Sequence, residues 1–82
     1  MDGYELVLQP PSVDDYLRLR IAAGLSAKTH EQAEIGLPNS WCGVTVVHDG
    51  AAIGMGRIIG DGGTAFQIVD IALDPSHQGK GL

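Results

Sequence analysis

Ile71-Ala72-Leu73-Asp74-Pro75-Ser76-His77-Gln78-Gly79-Lys80-Gly81-Leu82 reads as the end of an apolar strand, a hard stop and a glycine-rich turn. The strand runs back to Ala65, and its nearly continuous apolar residues are the pattern of a strand covered on both faces. Asp74-Pro75 ends it. In the turn, Gly79 and Gly81 let successive backbone N–H groups point inward with no side chain in the way, which makes a nest for an anion. Lys80 can add a positive charge, and a helix starting at the turn would add the positive end of its dipole.

Two other glycine-rich anion motifs do not fit. A Gly-x-x-x-x-Gly-Lys-Ser/Thr loop needs glycine where Asp74 stands and a hydroxyl where Gly81 stands. A dinucleotide fingerprint begun at Gly54-Met55-Gly56 meets Ile59 at its third glycine position, and it lies inside a strand instead of a strand-to-helix turn. Gly54 and Gly56 read instead as residues that ease close strand packing or a bulge.

Upstream, Tyr4 to Gln9 is a first strand, stopped by Pro10-Pro11. Ser12 caps a helix whose first turn carries Asp14 and Asp15 at the positive dipole end. Val13, Tyr16/Leu17 and Arg20/Ile21 share a face, and Gly24 sits at the C′ position. Thr29-His30-Glu31-Gln32 is a capping box for a second helix that runs to about Ile35 and ends at Gly36. Trp41 to His48 and Ala51 to Ile59 are strands joined at Asp49-Gly50, a type I′ turn signal. Asp61-Gly62-Gly63 turns the chain into the strand from Ala65 to Leu73. The order β-α-α-β-β-β, ending in a Gly-rich turn, is an α+β pattern with an antiparallel meander.

The 82 residues make one domain or part of one, and a chain of this size buries only about 60% of its unfolded surface. The net charge is −5, and the five basic residues are scattered. That argues against nucleic acid, which demands a basic stripe, and against an anionic membrane surface. The lone Cys42 fits a reducing, cytoplasmic setting and reads as a small core or strand residue. There is no apolar leader at the start and no apolar run of membrane-spanning length. His30, His48 and His77 show no metal-ligand spacing and read as surface or loop residues, so no metal is expected.

The terminal segment resembles the acetyl-CoA motif of the GNAT N-acetyltransferases, Gln/Arg-x-x-Gly-x-Gly/Ala. Gln78-Gly79-Lys80-Gly81-Leu82 supplies every position of it except the last, which would be residue 83. The flanking strand, the Asp-Pro stop and the order of elements agree, so residues 1–82 resemble the front half of a GNAT domain, truncated inside the motif. The resemblance implies an enzyme that transfers acetyl from acetyl-CoA to an amine of a small molecule or peptide. It implies pyrophosphate binding by Gln78, Gly79, Lys80, Gly81 and Leu82, and pantetheine pairing with the main chain of Ile71, Ala72 and Leu73. A backbone amide there can also stabilise the oxyanion.

Some members carry a glutamate base at the position of Gln67, which cannot act as one, so no catalytic residue is assigned. Asp70, placed by alternation on the strand face opposite Gln67 and Ile71, orients substrate or is structural. The first two helices often line the acceptor site, which leaves Leu17 to core packing and Arg20 to solvent or substrate. An incomplete fold would leave the last strand as an exposed apolar edge. That edge favours a homodimer, and it keeps open a non-catalytic CoA-binding or dimerising half-domain.

Overall fold

Local capping decides where both helices begin and where the first one ends. The structure, a computed structural model, describes residues 3–77. Gln78, Gly79, Lys80, Gly81 and Leu82 lie outside the described residues. Helix α1 (Val13–Ala22) opens with the Ser12 hydroxyl accepting from the Asp15 amide. It closes with Gly24 at φ 80°, its N–H on the Ile21 carbonyl and the Leu25 N–H on the Arg20 carbonyl. That pair of bonds is a Schellman end, which glycine permits without a Cβ penalty. Helix α2 (His30–Gly36) begins at the full Thr29/Gln32 capping box and passes into a 3-10 turn, Leu37–Asn39.

Strands β1 (Tyr4–Val7), β2 (Cys42–His48), β3 (Ala51–Gly60) and β4 (Phe66–Leu73) form one antiparallel sheet in the order β1-β2-β3-β4. Each strand neighbours the next in sequence, so β4 is an edge strand among the described residues. Asp49 and Gly50 both have positive φ, at 51° and 78°, as a type I′ hairpin requires. The β3–β4 turn is held by Asp61, whose Oδ1 accepts from the amides of Gly63, Thr64 and Ala65.

The core lies between α1, α2 and one face of the sheet. It contains Tyr16, Leu19, Ala33, Leu37, Ala52, Met55 and Ala72, with Leu19 fully buried. Two expectations are corrected here. Ile21 is 62% exposed and Leu19 takes the inward place, because the helix is turned to direct Arg20 at the sheet. β4 is covered on one face only: Phe66, Ile68 and Ile71 are exposed among the described residues. Its apolar run reflects an outer face that no described element covers. Cys42 is in a strand but exposed, and His48 is half-buried, stacked on the Tyr4 ring at 4.5 Å. Among the described residues no helix is long and apolar enough to cross a membrane.

Pro10 crosses β2 at Gly43, where a Cβ would meet Pro10 Cγ at 2.8 Å and its backbone nitrogen at 3.0 Å. A proline ring cannot swing aside, so Gly43→Ala is expected to cost about 1–3 kcal/mol by overpacking, read as a lower urea midpoint. The three amide bonds also lower the Asp61 pKa to about 2. The contribution of this turn is therefore complete above the unfolded aspartate value of about 3.9 and is lost as pH falls through about 2. Amide shifts of Gly63, Thr64 and Ala65 should follow that titration, and Asp61→Ala should abolish it.

Candidate active site

An irregularity in β4 organises the site. Met55 pairs with Ala72 and Arg57 with Val69, so Asp70 and Ile71 together face Gly56. This is a bulge, and its first residue, Asp70, has φ 56°. That left-handed position is usually taken by glycine, although aspartate tolerates it better than most residues. Gly56 gives the room: a Cβ there would lie 2.8 Å from Ile71 Cδ1.

The extra residue resets the alternation of side chains. Ile68 and Ile71, three apart, line one outer groove together with Leu8, Val44 and Ile58. Asp70 and Ala72 face the helices. Strict alternation puts Gln67 and Asp70 on opposite faces. The bulge overturns that: counted from Ile68, Gln67 is on the helix side, and Asp70 joins it there. Ile71 remains on the opposite face from Asp70.

Asp70 is the centre of a buried ion triad. Its Oδ1 accepts from Arg20 Nη1 of α1, and its Oδ2 accepts from Arg57 Nε of β3 at 2.7 Å. The side chains of Asp70, Arg20 and Arg57 are 6%, 8% and 12% exposed. The remaining bonds are made to neutral groups. Arg20 donates to the Ser26 carbonyl at 2.7 Å and hydroxyl at 3.0 Å. Arg57 Nη1 donates to the Gly36 carbonyl and the Ser40 hydroxyl, each at 2.9 Å. The Tyr16 ring sits 5.9 Å from the Arg20 guanidinium carbon and 5.8 Å from that of Arg57, within cation–π range. Burial, and then the Asp70 carboxylate, raise the Tyr16 phenol above its ordinary value, so it is neutral at physiological pH.

This arrangement corrects the solvated reading of Arg20, which is 7% exposed. It gives Asp70 a structural and positioning role, because both of its oxygens are engaged by guanidinium groups. Leu17 packs partly buried against the core. Arg57 was not singled out by sequence reasoning. A charged residue amid Ile53-Gly54-Met55-Gly56-Arg57-Ile58-Ile59 was the available signal, since an arginine in so apolar a strand calls for a buried partner.

Beside the triad lies a cleft of about 200 Å³ lined by Tyr16, Lys28, Gln32, Gly36, Leu37 and Arg57, among others. Of the expected acetyl-CoA residues, Ile71, Ala72 and Leu73 are on β4, with Ala72 buried and Ile71 64% exposed. The pyrophosphate group, residues 78–82, falls outside the described residues. Asp74 receives the Ser76 amide at 3.0 Å, and that bond leads the effects that lower its pKa. Its own N–H reaches the Ile53 carbonyl at 2.7 Å, which anchors the chain just before the glycine-rich turn. Among the described residues no group of histidine, cysteine and carboxylate side chains is placed to hold a metal.

The model of the acetyltransferase (GNAT) family matches residues 8–82. No curated protein matches the chain. A crystal structure of a protein of unknown function from methicillin-resistant Staphylococcus aureus, described as a probable acetyltransferase, is similar with 53% identity and a TM-score of 0.90 over 94% of this chain. A GNAT-family acetyltransferase from Streptococcus pneumoniae TIGR4 is similar with 26% identity and a TM-score of 0.80 over 96% of this chain. The chain spans 58% of the length of each.

Asp70→Asn tests the triad, because asparagine also accepts the left-handed backbone while removing the charge between two buried guanidinium groups. Breaking a buried ion network by removing one partner costs about 3–5 kcal/mol. Denaturant unfolding should show a loss of that order, against a change within about 0.5 kcal/mol for the exposed Gln67→Ala.

Proposed function

Because the chain belongs to the GNAT acetyltransferase family, we propose that it supplies the acetyl-CoA-binding half of an N-acetyltransferase that acetylates an amine. The family match over residues 8–82 carries this reading. It takes in β4, the Asp74-Pro75 stop and the Gln78-Gly79-Lys80-Gly81-Leu82 turn.

In this reading the glycine-rich turn holds the pyrophosphate through main-chain N–H groups, and pantetheine runs along the main chain of Ile71, Ala72 and Leu73. Acetyl-CoA supplies the thioester. The amine nitrogen forms a bond to the acetyl carbon, the carbon–sulfur bond breaks, the thiolate departs and the amine proton passes to solvent. A β4 amide donating to the carbonyl oxygen would stabilise the charge that develops there. The bulge fixes the direction in which that strand presents its main chain, and the triad fixes the bulge. Asp70 therefore acts through position and does not take the proton.

A second reading is favoured by the exposed Phe66, Ile68 and Ile71 of the edge strand. Here the chain is a CoA-binding half-domain without turnover, whose edge pairs with a second copy. Calorimetric titration with acetyl-CoA, combined with thiol release over a panel of amines, separates the two. Binding with turnover is the expected outcome, and Gly81→Val should weaken acetyl-CoA binding at least tenfold by filling the nest. Binding without turnover, with a dimer in sedimentation, supports the half-domain. Absence of binding overturns both.

A further inference from the structure

The chain is acidic overall, yet three of its five basic residues, Arg20, Lys28 and Arg57, gather at one place. Within the triad, two guanidinium groups face a single carboxylate, and the other partners of both arginines are neutral oxygens. Tyr16, whose ring lies near both guanidinium groups, is held in its neutral form. One positive charge is thus buried without a counter-charge among the described residues. Leaving it so costs energy in a low-dielectric interior.

The adjoining cleft points the same way. Arg57 and Lys28 line it, no carboxylate lines it among the described residues, and it adjoins the neutral side chains of Gln32 and Tyr16. Lys28 makes no ion pair among the described residues, where the salt bridges of α2 and its neighbours are those of His30 with Glu34 and Asp14. Arg57 commits Nε and Nη1 to protein acceptors. Among the described residues its Nη2 has no protein acceptor, and it is not sealed off, since no buried polar side-chain atom there lacks a partner. A planar guanidinium edge and a flexible ammonium lining one cleft suit a small oxyanion. The volume of about 200 Å³ is well above the roughly 10–15 Å³ that a single water needs, enough for a short ligand.

We infer that this cleft holds the anionic group of the acceptor, so that the acetylated amine is a small molecule carrying a carboxylate or phosphate. The inference deepens the acetyltransferase reading and rests on it. Arg57 presents a fixed donor from the sheet, held by Asp70 and Gly36. Lys28, on the segment between α1 and α2, supplies a second cation to the same cleft. The neutral side chains between them add no repulsion for the anion.

The test uses matched amines: γ-aminobutyrate against n-butylamine for the carboxylate, and phosphoethanolamine against ethanolamine for the phosphate. Each is titrated into the 82-residue chain by NMR, with acetyl-CoA binding and thiol release measured in parallel. The anionic member of at least one pair should bind at least tenfold more tightly, with shifts at Lys28, Gln32, Gly36 and Arg57, and the pair that shows the preference identifies the anion. Lys28 is exposed, so Lys28→Gln should fold normally and reduce the preference to under threefold, while Lys28→Arg should retain it. Equal affinity for neutral and anionic amines, shifts elsewhere, or a preference untouched by Lys28→Gln overturns the inference. Turnover of neutral and anionic amines at equal rates overturns it and leaves the acetyltransferase reading standing. Anion preference at the cleft in a protein that binds no acetyl-CoA supports the anion site and overturns the acetyltransferase reading.

Discussion

The Asp70 carboxylate between Arg20 and Arg57 joins two helices, two strands and the segment between the helices through one side chain. Arg20 brings α1 and, through Ser26, the segment that follows it. Arg57 brings β3 and reaches the end of α2 at Gly36. Asp70 itself belongs to β4. Helix α2 has seven residues, too few to be stable alone, so its attachment to the sheet decides whether it forms. A left-handed, non-glycine residue costs on the order of 1–3 kcal/mol, and such strain persists only where the surroundings over-determine it. Two arginines directed at one carboxylate do that here.

The bulge held by the triad separates the two faces of β4. Toward the helices it presents Asp70 and Ala72, one ionic and one packed into the core. Away from them it presents Ile68 beside Ile58, with Ile71 over the bare backbone of Gly56 and Leu73 over that of Gly54. Those two glycines bring neighbouring side chains close: a Cβ on Gly54 would lie 3.0 Å from Leu73 Cδ1, and one on Gly56 would lie 2.8 Å from Ile71 Cδ1. The outer face is thereby apolar and nearly free of charge, while the helix face concentrates the basic residues. The division is what the proposed acetyltransferase reading requires, with one substrate met by the main chain of the strand and the other on the helix side.

Charge placement sets this site apart from the rest of the surface. Arg18 is exposed and tied to Asp15 at 3.2 Å, with its Nη2 also on the Ala52 carbonyl at 2.6 Å. Exposed pairs of that kind contribute little. Arg20 and Arg57 are buried, where the cost of desolvation makes each partner count. Among the described residues they leave a single surplus positive charge there, which the proposed anion site uses despite the net charge of −5 of the whole chain.

Much of the fold was legible in the sequence because the signals were local. Ser12, Thr29 with Gln32, Gly24 and Asp49-Gly50 each determine a helix end or turn through bonds to residues within five positions. The element order followed from them, and the motif resemblance named the family. The site was legible only in pieces. Tyr16 and Arg20 are legible on one helix and Asp70 on a strand, Arg57 is not, and nothing in the 50 residues between Arg20 and Asp70 tells that they meet. The face assignment of Asp70 against Gln67 failed because strict alternation assumes a regular ladder, and the bulge adds one residue. Sequence alone thus determined the caps, the turns, the strands and the family. Only tertiary structure decided the twist of α1 that hides Leu19 and exposes Ile21, the shared helix side of Gln67 and Asp70, and the buried surplus charge, because each depends on pairing across the sheet that no local pattern encodes.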